Sequence, residues 1–252
     1  MRYLLFDVFT DTALEGNPLA VFPEPGPIDT RTMQRIAQEM NLSESVFLER
    51  GVDHVAATLR IFTPAREIPF AGHPTVGTSI ALIDALRWVA ADRTQFTLRL
   101  KIGEVPIRID RSSGPTMAWL KTPAISFGAT VDRDGMARAL SVDSSALHPD
   151  FTPQILSAGS PFLFVALTDR AAVDSAVLDE HALRSVTKTG EFYGVFFFAP
   201  VERGAYSRMC APMSGILEDP ATGSASGPLG AYLVANGALP LRDGFPIGIT
   251  LP

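Results

Sequence analysis

The sequence has 252 residues, which at about 150 residues per domain is enough for one large domain or two small ones and excludes a peptide-sized or disordered chain. Hydrophobic residues make up 46% and charged residues 19%, with 20 glycines and 20 prolines, so frequent turns and many short strands are expected rather than long helices. A net charge of −6 without clustered Lys or Arg argues against a nucleic-acid partner, because phosphate neutralisation needs such clusters.

The opening stretch MRYLLFDVFT has a short apolar alternation and no export cleavage pattern, and reads as a first strand. No apolar run reaches the 18 or so residues of a membrane span. The single cysteine, Cys210, has no internal disulfide partner, and the chain is expected in the cytoplasm.

Tyr3 to Phe9 and Leu19 to Phe22 are predicted strands, separated by Asp, Gly, Asn and Pro. Asp29 or Thr30 then caps a helix in which Met33, Ile36, Ala37 and Met40 recur at helical spacing, ending near Asn41. Ser45 to Glu49 and Ala56 to Phe62 read as strands. Pro64, Pro69, Gly72 and Pro74 crowd a turn before Thr75 to Leu86, a segment apolar or small on nearly every face and so a helix buried all round. Phe96 to Ile102, Val105 to Ile109 and Met117 to Leu120 are further strands, with Gly103-Glu104 as one turn. The second half repeats the style. A capped helix runs from Asp132 to Leu140, strands cover Gln154 to Ser157, Phe162 to Leu167 and Gly194 to Ala199, and helices lie at Asp179 to Val186 and Gly227 to Asn236, the last closed by Gly237. Phe196, Phe197 and Phe198 read as core strand rather than an aromatic platform for substrate.

A duplication is visible within the chain. Arg60-Ile61-Phe62-Thr63-Pro64 is followed by Glu67-Ile68-Pro69-Phe70-Ala71-Gly72-His73, and Arg208-Met209-Cys210-Ala211-Pro212 by Glu218-Asp219-Pro220-Ala221-Thr222-Gly223-Ser224. Both read Arg-x-x-x-Pro, then Glu-x-Pro-x-x-Gly, then a small-residue helix. The offset is 148 in the first block and 151 in the second. Two similar domains are implied, each with a central helix whose N-terminal amides lack a side-chain cap. Converging N–H groups and the helix dipole attract anions, so two such ends across a cleft suit a small carboxylate-bearing molecule. Two ordinary buried helices after tight turns remain the alternative on the residues alone.

The segments Asn41-Leu42-Ser43-Glu44-Ser45, Pro69-Phe70-Ala71-Gly72-His73-Pro74-Thr75 and Glu218-Asp219-Pro220-Ala221-Thr222-Gly223-Ser224-Ala225, with Phe6-Asp7-Val8-Phe9-Thr10 and Gly16-Asn17-Pro18-Leu19-Ala20-Val21 at the N-terminus, closely resemble the phenazine-biosynthesis (PhzF-like) isomerase family. The resemblance runs from about residue 3 to about residue 235. It implies an α+β chain with the diaminopimelate-epimerase-like fold: two pseudo-symmetric domains, residues 1–120 and 121–252, each a mixed, mostly antiparallel sheet around a central helix, with the active site between them. In diaminopimelate epimerase a cysteine from each half transfers the proton. Here the only cysteine stands upstream of the second loop, so a two-thiol mechanism is excluded, and the family pattern supplies a glutamate acid/base matching Glu44, supported by His73, Asp219 and Ser224. A homodimer is also implied. Similar proteins usually continue past the strand that resembles Phe245 to Leu251 into a further Gly-rich segment and a closing strand, a point of departure, since this sequence stops at Pro252.

For Glu44 to move a carbon-bound proton near neutral pH, burial or a second carboxylate must raise its proton affinity. Asp219 is the expected neighbour, since two carboxylates in one dry site do not both ionise cheaply. On the residues alone Glu44 reads as a solvated loop carboxylate. His73, at a helix N-terminus, is expected neutral and hydrogen-bonded to substrate. Ser224, Thr222, Gly72 and Gly223 are assigned to substrate binding, the glycines for close backbone approach; Ser224 lacks the Gly-x-Ser-x-Gly elbow of a nucleophile. His54, His148 and His181 have no metal-ligand spacing, and no phosphate-cradling Gly motif is present. The expected activity is therefore a cofactor-free, metal-free isomerase of a small cyclic or amino acid-derived carboxylate; the family's namesake acts on a dihydro-hydroxyanthranilate. An epimerase or racemase, or a non-catalytic metabolite-binding homologue, are the alternatives.

Overall fold

The computed structural model describes residues 1–112, 114–187, 192–202, 204–240 and 248–250. Two compact units emerge, Met1–Pro123 and Ala124–Pro252, and each holds one mixed sheet.

Unit 1 contains β1 (Leu4–Val8), β2 (Asn17–Pro23), α1 (Thr30–Met40), β3 (Glu44–Arg50), β4 (Val55–Phe62), β5 (Glu67–Ile68), α2 (Gly72–Asp84), β6 (Gln95–Leu100), β7 (Gly103–Asp110) and β8 (Met117–Leu120). The strand order is β1-β2-β3-β4-β6-β7-β8, with β5 also on β4. Only β2–β3 and β4–β6 are parallel, and the helices sit in those two crossovers, as parallel pairing requires. Helix α1 forms where the sequence places it. The Asp29 carboxylate accepts the Thr32 amide proton at 2.8 Å, and Asn41 closes the helix in the left-handed conformation; such an N-cap contributes about 1 kcal/mol. Met33 and Ala37 pack against Ala20, Phe22, Phe47 and Phe62 on the outer face of the sheet, where Phe22 stacks on Phe47 with ring centroids 4.9 Å apart. Residues alternating with these, such as Leu19 and Val21, face inward toward α2.

Unit 2 contains β9 (Ser126–Thr130), α3 (Arg133–Ala139), β10 (Gln154–Ser157), β11 (Pro161–Ala166), α4 (Arg170–Ser175), α5 (Glu180–Val186), β12 (Val195–Val201), β13 (Gly204–Ala211), β14 (Ile216–Asp219), α6 (Gly223–Ala235) and β15 (Gly248–Thr250). Its order is β14-β13-β12-β11-β10-β9, with β15 on β13. The parallel pairs are β11–β12 and β13–β15. Helices α3, α4 and α5 cover the outer face through Met136, Leu140, Val173 and Leu183, against Leu163, Val165, Phe197 and Cys210. Helix α6 takes the inner face: the Tyr232 ring lies 6.0 Å from that of Phe164 and 6.1 Å from that of Phe198, and its hydroxyl donates to the Thr152 carbonyl.

The duplication holds in three dimensions. Strands β1 to β4, β5, helix α2 and β6 correspond in order and pairing sense to β10 to β13, β14, α6 and β15. Four local expectations are corrected. Helix α2 begins at Gly72 rather than Thr75, because Pro74 sits in the first turn, where a missing N–H costs nothing. Helix α6 begins at Gly223 rather than Gly227: the small residues 223–226 that read as a turn form its first turn, and Pro228 lies inside the helix. The β6–β7 turn falls on Lys101 and Ile102, two residues before Gly103-Glu104, since Leu100 pairs with Gly103. Glu44 is not in a loop but opens β3 and is buried. The expected strand at Phe245 to Leu251 lies partly outside the described residues; Gly248–Thr250 are in β15.

Candidate active site

In unit 1 the parallel ladder sets Glu44 opposite Leu19. Leu19 points at α2, where a methyl built on Gly77 would come within 2.8 Å of its Cδ2, so Glu44 shares that inward face. Helix α2 starts without a side-chain cap and delivers His73 as its second residue. The result is a direct pair: His73 Nδ1 lies 3.0 Å from Glu44 Oε2, with both side chains buried. Gly72 precedes the histidine and opens the helix. Its N-terminal amides, which no side chain caps, add the positive end of the helix dipole to the same corner of the unit.

Asn17 joins this face. It is fully buried at the start of β2, two residues before Leu19, and so shares the inward side with Glu44. The preceding Gly16 makes that entry possible, because its φ of +72° and the Val8 carbonyl, 2.3 Å from where a Cβ would stand, both exclude a larger residue. Sequence reasoning used Gly16-Asn17 as part of a resemblance and passed over Asn17 as a site residue; an amide side chain set between a glycine and a proline at the entry to a strand was the available clue.

In unit 2, Asp219 ends β14 and pairs with Met209 across the ladder. It is buried, and the Thr222 hydroxyl donates to its Oδ2 at 2.5 Å. Thr222, assigned to substrate by sequence, thus holds Asp219 in place. Helix α6 again has no side-chain cap, and half-buried Gly223 and Ser224 are its first two residues, in the positions that Gly72 and His73 hold in α2. Cys210 lies on the opposite face: it belongs to the outer cluster with Val173 and Phe197. Burial pushes its thiol up to about 11, the Glu218 carboxylate adding to the rise and Arg208 opposing it, so no thiolate forms there near neutral pH.

The remaining histidines sit elsewhere. His54 pairs with Glu104 at 3.0 Å on the surface, His148 packs edge-on against Phe151, and His181 stands in the first turn of α5. Phe196, Phe197 and Phe198 are buried core. Among the described residues no helix is long and apolar enough to cross a membrane.

What this arrangement offers is one buried carboxyl–imidazole pair in unit 1 and one buried, hydroxyl-oriented carboxyl in unit 2, each beside an uncapped helix start. Such groups suit proton transfer and the holding of an anion.

Comparison with known proteins finds relatives over nearly the whole chain. The phenazine biosynthesis-like protein family (PhzC-PhzF) matches residues 6–247. The trans-2,3-dihydro-3-hydroxyanthranilate isomerase of Pseudomonas aeruginosa is 36% identical over 240 residues, covering 95% of this chain and 82% of that protein. Among solved structures, a predicted epimerase from Pseudomonas aeruginosa superposes with a TM-score of 0.81 at 34% identity, over 95% of this chain and 83% of that one. A probable proline racemase from Agrobacterium radiobacter superposes at 0.67 with 13% identity, over 99% and 82% respectively, a likeness of fold alone.

Proposed function

Since this chain belongs to the phenazine biosynthesis-like family and is an isomerase, we propose that it moves a proton between carbons of a small cyclic or amino acid-derived carboxylate, without a cofactor, and that Glu44 carries the proton. The observation that supports this best is the buried contact between Glu44 Oε2 and His73 Nδ1 at 3.0 Å. Both side chains are buried, so the pair is held in a water-poor corner of the unit where a proton is passed to a bound substrate rather than to solvent. The imidazole keeps the carboxyl in one orientation, so the free energy of aligning it is met before substrate arrives.

In this reading Glu44 takes a proton from a carbon next to an activated position, and negative charge spreads over the substrate π-system. The amides at the start of α2 stabilise that charge, as do the substrate's own carbonyl or carboxylate groups. Glu44 then returns the proton to another carbon of the same system, so protons and electrons balance with no second reactant. Asp219, oriented by Thr222, is the second acid/base group; Ser224, Gly72 and Gly223 bind the substrate carboxylate. The same reading takes the enzyme as a cytoplasmic homodimer acting on small molecules rather than nucleic acid, and sedimentation velocity tests it by the mass of two chains.

The test is turnover of trans-2,3-dihydro-3-hydroxyanthranilate, the compound named in its relatives, by wild type, Glu44→Gln and His73→Asn. A shifted double bond with wild type, none with Glu44→Gln and a reduced rate with His73→Asn support the assignment. Scrambled stereochemistry at one carbon with no shifted double bond replaces it by an epimerase. Equal turnover by wild type and Glu44→Gln removes Glu44 from the chemistry.

A further inference from the structure

We propose that two bidentate ion pairs, Arg60–Glu67 in unit 1 and Arg208–Glu218 in unit 2, are positioning residues that set the acid/base groups from the opposite face of each sheet. This rests on the assignment of Glu44, His73 and Asp219 to proton transfer.

The two pairs are the repeated Arg and Glu of the internal duplication, and their geometry is the same. Arg60 donates from Nε to Glu67 Oε1 at 2.9 Å and from Nη2 to Oε2 at 3.0 Å. Arg208 donates from Nε to Glu218 Oε1 at 2.7 Å and from Nη2 to Oε2 at 2.8 Å. Each arginine lies opposite a phenylalanine of the preceding strand, Phe47 and Phe197. Each also ties down an outer helix: Arg60 Nη2 donates to the Thr30 hydroxyl at 2.9 Å, and Arg208 Nη1 reaches the carbonyls of Val173 and Ala176 at 2.9 Å and of Asp174 at 3.2 Å.

The sequence spacing differs, and the ladder explains why it does not matter. In unit 1 Phe62 pairs with Glu67 and Ile61 with Ile68, so one step further Arg60 faces Pro69. In unit 2 Met209 pairs with Asp219, so one step further Arg208 faces Pro220. In both, arginine reaches diagonally to the glutamate two residues before that proline, a distance long side chains span. Proline has no N–H to add to the ladder. The strands β5 and β14 are also poorly fixed by backbone bonds, the first being two residues long and the second irregular in register between Met209 and Ala211. The ion pair therefore supplies the register that the ladder does not.

Register matters here because side chains alternate between faces. Asp219 follows Glu218 directly, so a one-residue slip of β14 turns it from the α6 face to the outer face. His73 follows β5 through Pro69 and the start of α2, so the exit direction of β5 aims it at Glu44. The turn between β4 and β5 is further stiffened by Thr63, whose hydroxyl accepts from the amides of Ala65 and Arg66 at 3.2 and 3.1 Å.

The experiment uses the full chain with Glu67→Gln and Glu218→Gln, isosteric changes that weaken one pair each. Backbone hydrogen exchange is followed by mass spectrometry, and kcat and KM in the isomerase assay. Exchange is expected to rise over residues 69–76 with Glu67→Gln alone, and over 218–226 with Glu218→Gln alone. For each variant kcat falls about 10- to 100-fold, as misplacement by up to 1 Å does, while KM stays within about twofold. Unchanged exchange in both segments, or activity that falls only in step with the folded fraction, overturns the proposal. If wild type moves no carbon-bound proton, the functional reading fails by itself, and the two exchange patterns still decide whether the pairs hold the helix starts.

Discussion

Gly77→Ala probes the contact on which the unit 1 site depends. Gly77 lies four residues after His73 on α2, so both occupy one helix face. A methyl at 77 would stand 2.6 Å from Val8 Cγ2 and 2.8 Å from Leu19 Cδ2, whereas carbon atoms rest at about 3.5–4.0 Å. Something must therefore move by about 1 Å. Val8 is β-branched and stiff, and Leu19 is 0% exposed, with nowhere to turn, so the helix moves. Such overpacking costs about 1–3 kcal/mol, and the better helix propensity of alanine offsets about 1 kcal/mol, leaving a net loss of roughly 0–2 kcal/mol. Activity should suffer more. Leu19 is the register partner of Glu44, and a shift of about 1 Å between Glu44 and His73 corresponds to a rate loss near 100-fold. Urea unfolding and the isomerase assay on one preparation separate the two effects. Wild-type turnover together with measurable destabilisation would refute the reasoning, because the sheet would then have absorbed the methyl without disturbing the pair.

Three further outcomes follow from single contacts. Cys210→Ala should keep at least half of wild-type turnover, and the native thiol should resist iodoacetamide at pH 8 until urea unfolds the chain; rapid labelling of folded protein contradicts the burial that raises this thiol to about 11. Thr222→Val removes the donor to Asp219 Oδ2 and should cost about 1 kcal/mol of stability with a larger fractional loss in kcat, measured by thermal unfolding and turnover. The Arg60 hydrogen bonds hold the Glu67 carboxyl below its ordinary range against the opposing effect of burial. The folded chain thus binds that proton at lower pH than the unfolded chain, and the stabilisation is complete above the unfolded value and lost as pH falls through the folded one. The stability gap between wild type and Glu67→Gln should stay constant from about pH 6 to 8 and shrink below about pH 4; a gap that widens in acid would show the sign to be wrong.

Much of the fold was legible because its causes are local. Helix α1 was bounded to within a residue by the choice of Asp29 or Thr30 at its start and Asn41 at its end, since caps act within one turn. The starts of α2 and α6 were missed by three and four residues because neither has a side-chain cap and both carry proline and glycine in the first turns. Strand β9 offered no alternation, every one of its residues being exposed, and α4 is too short at six residues for a helical period to show. The duplication was visible as text, but its meaning was not: Arg60 and Glu67 are seven residues apart, Arg208 and Glu218 ten, and only strand register makes them equivalent. The Glu44–His73 contact joins residues 29 apart through a parallel ladder and a crossover helix, a closure that no local pattern encodes.

The most direct test of the central claim, that Glu44 carries the migrating proton, is proton NMR of a single-turnover reaction in deuterated water with wild type and Glu44→Gln. The account predicts deuterium at the receiving carbon with wild type, in proportion to exchange of the Glu44 carboxyl with solvent, and none with Glu44→Gln. Deuterium incorporation by Glu44→Gln at the wild-type rate would contradict it and transfer the role to another group.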